Sequence, residues 1–77
     1  MATNRVDRAT ALATATDYAK HHSAEAMKVQ IKLYREQLQS LNNAKENVPP
    51  EDVKRYNERI ADTRELLRAF ESVANKK

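Results

Sequence analysis

Residues 24–74 read AEAMKVQIKLYREQLQSLNNAKENVPPEDVKRYNERIADTRELLRAFESVA, and this stretch decides the fold. Apolar or compatible side chains recur at Ala24, Met27, Ile31, Tyr34, Leu38 and Leu41. They recur again at Val53, Tyr56, Ile60, Thr63, Leu67, Phe70 and Ala74. Steps alternating between three and four place each set on one side of a helix, because their mean is close to one helical turn. Between the two sets stands Asn47-Val48-Pro49-Pro50, which an α-helix cannot cross. The reading is an all-α chain built on an antiparallel, coiled-coil-like helical hairpin. Pairing Leu41 with Tyr56, Leu38 with Ile60, and so on to Ala24 with Ala74 gives residue numbers that sum to 97 or 98 in every layer. Such agreement across six layers is the consistency expected of a sequence that specifies one structure.

The rest of the chain fits a single helical domain over residues 1–77. A first helix is expected over about 5–21, capped by Asn4 and with Asp7 in its opening turn. The second is expected over about 24–46, with Ser23 as its cap, and a turn over 47–49 follows. The third is expected over about 50–75, with Pro50 at its first position, where the missing N–H costs nothing. Glu51 and Asp52 suit its positive end, and Lys76 and Lys77 its negative end. One unbroken helix from about 5 to 46 is the alternative, since no residue between 17 and 24 forbids it.

Composition supports helices joined by few loops. The chain has no glycine, the residue on which primed hairpin turns depend. It has no cysteine, so disulfides, thiolate metal sites and cysteine nucleophiles are excluded; a reducing, cytoplasmic setting is expected. Neither a signal peptide nor a membrane span is expected, because no apolar run is long enough. The net charge of +3 comes from 14 basic and 11 acidic residues, and the two sides of the turn carry similar excesses. This is a mixed surface without a basic or acidic tail.

A second apolar face places the first helix. Ala26, Val29 and Leu33 lie about 120–160° from the main stripe of the second helix. Leu66, Ala69 and Val73 broaden the stripe of the third at the same end, away from the turn. A first helix presenting Val6, Ala9, Leu12, Ala13, Thr16 and Ala19 is the expected cover, giving a three-helix cluster at one end and a two-helix arm at the other. That face is mostly Ala and Thr, so the cover is thin. About a dozen large apolar residues scarcely offset an ordering cost of about 1.5 kcal/mol per residue. Burial supplied by self-association or a protein partner would make up the difference. The expected interface comprises Tyr18, Ala26, Val29, Leu33, Leu66, Ala69 and Val73, with Tyr18 on the outer side of the first helix as an aromatic anchor.

Other chemistry finds little support. Asp17, His21 and Glu25 would share a face of a continuous helix, but zinc needs three or four oriented ligands and no fourth is in reach. No nucleophile–base pair or phosphate-binding loop is present, so neither catalysis nor a cofactor or metal is expected. Lys28, Lys32 and Arg35 form a basic edge that could contact nucleic-acid phosphates. Glu25 and Glu36 flank it and no aromatic platform accompanies it, so a solvated helix face is the better reading.

The functional expectation is a non-enzymatic protein–protein interaction module: an adaptor, chaperone or inhibitor, a class that includes bacteriophage-encoded proteins. A structural homo-oligomer is the alternative, and a small basic nucleic-acid-binding regulator comes third. A short first helix followed by a helical hairpin resembles the small helical co-chaperones of type III secretion needle subunits. That resemblance lies in the layout and transfers no site residue.

Overall fold

A computed structural model describes residues 6–75, and all its regular structure is helical: α1 (Arg8–His21), α2 (Ala24–Lys45) and α3 (Pro50–Asn75). The proposed cap Asn4 and the terminal Lys76 and Lys77 lie outside the described residues. Among those described, Asp7 caps α1 rather than sitting inside its first turn. Its carboxylate accepts the Thr10 backbone N–H at 2.7 Å. The backbone and hydroxyl donors of Thr10 hold the Asp7 carboxyl below its ordinary pKa.

Helices α1 and α2 are separate. His22 is extended, and the Ser23 hydroxyl accepts the Ala26 N–H at 3.2 Å, satisfying a donor that the new helix leaves unpaired. Helix α2 ends at Lys45 without a left-handed residue. Instead the Glu46 N–H reaches the Asn43 carbonyl at 3.3 Å, and the Asn47 N–H reaches the Ala44 carbonyl at 3.0 Å. A chain without glycine closes its helix here by tightening the last turn. Helix α3 opens at Pro50, where the Asp52 N–H bonds to the Pro49 carbonyl at 2.9 Å.

Helix α3 is the centre of the packing. It contacts α2 and α1 extensively, whereas α1 and α2 touch each other little. The shared core holds Ala11, Ala15 and Ala19 of α1, Met27 of α2, and Ala69 and Phe70 of α3. Phe70 is its hub, meeting Tyr18 and Tyr34 edge-on with ring centroids 5.3 Å away in each case. Leu41, Ile60 and Thr63 are buried closer to the turn. With α1 and α2 on different flanks of α3, the molecule is flattened, 42 × 29 × 16 Å. Its radius of gyration is 13.7 Å, against about 11.5 Å for a compact domain of this length.

Two sequence expectations about α1 need correction. The buried face is Ala11, Ala15 and Ala19, while Ala9, Ala13 and Thr16 are exposed, so the helix is rotated by about 100° from the expected orientation. The cause is Tyr18. It is not on the outer side: the ring is half-buried, packs on Phe70 and brings the neighbouring alanine row inward. Alanines four residues apart then let the α1 and α3 backbones approach closely, so that Ala11 and Ala15 lose all exposure.

Candidate protein-interaction face

The position of α1 determines what stays uncovered. The chain just before α1 meets α3 where the Val6 N–H bonds to Asp62 Oδ1 at 3.2 Å, and α1 itself meets it where Tyr18 packs on Phe70. Docked there, α1 covers the second apolar face of α3 only. Ala69 is buried, and Leu66 and Val73 pack against the shared core. Of these expected interface residues Ala69 lies in the shared core, while Leu66, Val73 and Tyr18 are partly buried against it.

The second face of α2 is different. Val29 remains 56% exposed and Leu33 50%, with Ala26 half-buried beside them. The first helix was expected to cover this face together with that of α3; it does not reach both. Val29 and Leu33, four residues apart, form one row on the outer side of α2.

The basic edge adjoins this row. Lys28 and Lys32 are exposed, and among the described residues neither has a carboxylate within ion-pair distance. Arg35 bonds instead to Glu71 of α3. Lys28, Ile31, Lys32 and Arg35 of α2, with Glu71 and Ala74 of α3, line a shallow groove. Sequence reasoning saw the lysines but missed this groove, because it depends on which side of α2 meets the end of α3.

The histidines take structural positions. His21 Nε2 lies 3.7 Å from Asp17 Oδ1, with both side chains well exposed. His22 stacks on Tyr18 with centroids 3.9 Å apart and planes 17° from parallel. A continuous aromatic chain thus runs from His22 through Tyr18 and Phe70 to Tyr34. The helix break at His22–Ser23 puts Glu25 on a different helix from Asp17 and His21. No group of three metal-ligating side chains occurs among the described residues. No described helix is long and apolar enough to cross a membrane.

No protein-family model matches this chain, and no curated protein or solved structure matches it significantly. The likeness to needle-subunit co-chaperones rests on helix order alone.

Proposed function

We propose that this chain is a non-enzymatic helical interaction module, an adaptor, chaperone or inhibitor of a larger protein, working in a reducing, cytoplasmic setting. In this reading α2 and α3 form an antiparallel, coiled-coil-like hairpin that displays the outer face of α2, while α1 braces the end away from the turn. Three contacts support the hairpin. Lys45 reaches Asn57 at 2.8 Å near the turn, whereas Tyr34 meets Phe70 and Arg35 meets Glu71 farther from it. Their residue numbers total 102, 104 and 106 rather than the 97 or 98 of the layers read from sequence, and Tyr34 meets Phe70 rather than Thr63. The lean of side chains toward the N-terminus of their own helix, about one position per helix, accounts for only part of that displacement.

The observation that carries the interaction reading is the exposure of Val29 and Leu33 on an ordered helix. Full burial of such a side chain contributes about 1.5–3 kcal/mol, so covering the exposed half of both gives about 2 kcal/mol. That is roughly a thirtyfold change in affinity, enough to make the pair an anchor but too little for a complex by itself.

The test is the double variant Val29→Gln, Leu33→Gln, compared with the parent by far-UV circular dichroism, light-scattering mass and quantitative co-purification. The helical signal should be unchanged and a specific set of co-purifying proteins should be lost. A mass above monomer that falls in the variant would assign the face to a second copy instead. Identical mass and identical co-purifying proteins for parent and variant would remove the reading.

A further inference from the structure

Two residues separate α1 from α2, and neither compels the bend. His22 (φ −138°, ψ 157°) and Ser23 (φ −77°, ψ 168°) are extended, yet no Pro or Gly lies between residues 17 and 24. What favours the bend locally is the Ser23 cap on the Ala26 N–H. With both residues helical, α1 and α2 join in one rod over residues 8–45, about 57 Å long, against a greatest dimension of 42 Å for the bent chain. Backbone carbonyls at the end of α1 then pair with N–H groups at the start of α2. Tyr18 and His22, four residues apart, stay neighbours on the rod. We infer that this chain exchanges α1 with a second copy: the hinge at His22–Ser23 straightens, and each α1 docks on the α3 of the other chain.

A straightened α1 has no place on its own α3. Tyr34 meets Phe70; from that level α3 continues about 7.5 Å to Asn75, while α2 continues about 15 Å to Ala24. The rod therefore carries α1 past the described end of α3. The surface left behind is apolar, with Ala69 and Phe70 at its centre and Leu66 and Val73 around them. An α1 from another copy fits it residue for residue, with Ala11, Ala15 and Ala19 in the core and Tyr18 edge-on to Phe70. Every contact is one the chain already makes with itself, so the occupant is a second copy rather than a foreign helix. The exchange also closes. Val6 lies by Asp62 and Tyr18 by Phe70, so α1 runs in the direction of α3, whereas α2 runs against α3 in the proposed hairpin. Each rod therefore points opposite to the rod of the chain whose α3 it covers. Two antiparallel rods meeting at their hinges satisfy both exchanges about a two-fold axis, and the assembly stops at two chains. The outer face of α2 takes no part, so the inference goes beyond the interaction reading and is tested apart from it.

The test is the mass of the chain by light scattering as concentration rises. A helix on so short a tether competes with added copies at millimolar effective concentration, so the parent should be a monomer at about 0.01 mM and partly a dimer at about 1 mM. Ser23→Ala removes the cap that favours the bend, worth about fivefold at each of the two hinges. It should reach the same dimer fraction at about thirtyfold lower concentration. Ser23→Pro should abolish the dimer: the backbone angles of His22 and Ser23 already suit a proline at 23, whereas the interior of the rod excludes one. Isotope-labelled and unlabelled parent chains, unfolded and refolded together, should show Tyr18–Phe70 nuclear Overhauser contacts between chains in the dimer. Val29→Gln, Leu33→Gln should dimerise as the parent does. Parent and Ser23→Ala chains that both stay monomeric at about 1 mM overturn the inference. So does a dimer that survives Ser23→Pro, or one whose Tyr18–Phe70 contacts lie only within chains. A dimer lost in Val29→Gln, Leu33→Gln overturns it as well and assigns the association to the outer face of α2.

Discussion

Replacing Phe70 with Ala removes the hub of the three-helix core. The side chain is 1% exposed and meets Tyr18 of α1 and Tyr34 of α2 edge-on. A buried Phe→Ala change costs about 3–5 kcal/mol, through lost burial and the cavity left behind. Two aromatic pairs, each about 0.5–1.5 kcal/mol, are lost with it, which keeps Phe70 off the bottom of that range, at about 4 kcal/mol. A 77-residue domain has about 4–12 kcal/mol in total, so the variant retains at most about two thirds of its stability and could lose all of it. At about 4–8 °C per kcal/mol, the midpoint should fall by about 16–30 °C. Thermal melts followed by circular dichroism read this directly, with urea titration as a second measure. A midpoint within about 5 °C of the parent would mean that less than about 1 kcal/mol depends on the aromatic hub, and the packing of α1 and α2 around Phe70 would be wrong.

Two further outcomes follow from α1. Tyr18→Ala should speed hydrogen exchange across residues 11–19 while leaving α2 and α3 protected, because the buried alanines of α1 have little side chain of their own to hold it on α3; unchanged α1 protection would refute this. Asp7 is held below its ordinary pKa of 3.8 by Thr10, so its cap contributes fully above that value and is lost as pH falls through the lower folded value. The Thr10 amide resonance should report α1 fraying in that acid window, and Asp7→Asn should abolish the pH dependence; an α1 start unaffected down to about pH 2, below ordinary carboxylate titration, would contradict the cap.

What could be read from residues alone follows the strength of their physical signals. Pro49-Pro50 and the Ser23 cap act through local geometry, and the structure breaks its helices at both places. The orientation of α1 was not legible in that way. Alanine or threonine occupies positions 9–11 and 13–16, so the helix has almost no preferred apolar side. Its rotation depends on Tyr18 finding Phe70, a partner 52 positions away in the chain. The same long-range contact explains the candidate site. The surplus apolar residues on α2 and α3 were evident from spacing, but only the seating of α1 against α3 buries Ala69 and partly buries Leu66 and Val73 while leaving Val29 and Leu33 outside.

The central claim is that the isolated chain leaves the outer face of α2 uncovered, and methyl relaxation by a soluble paramagnetic compound tests it most directly. The measurement is made at a concentration where light scattering gives the mass of a single chain, 8.8 kDa. The methyl groups of Val29 and Leu33 should relax strongly, while those of Leu41, Ile60 and Met27 stay shielded. Val29 and Leu33 methyls as shielded as those of Leu41 and Ile60 would contradict the account, because the face would then be covered within the chain and have nothing to offer a partner.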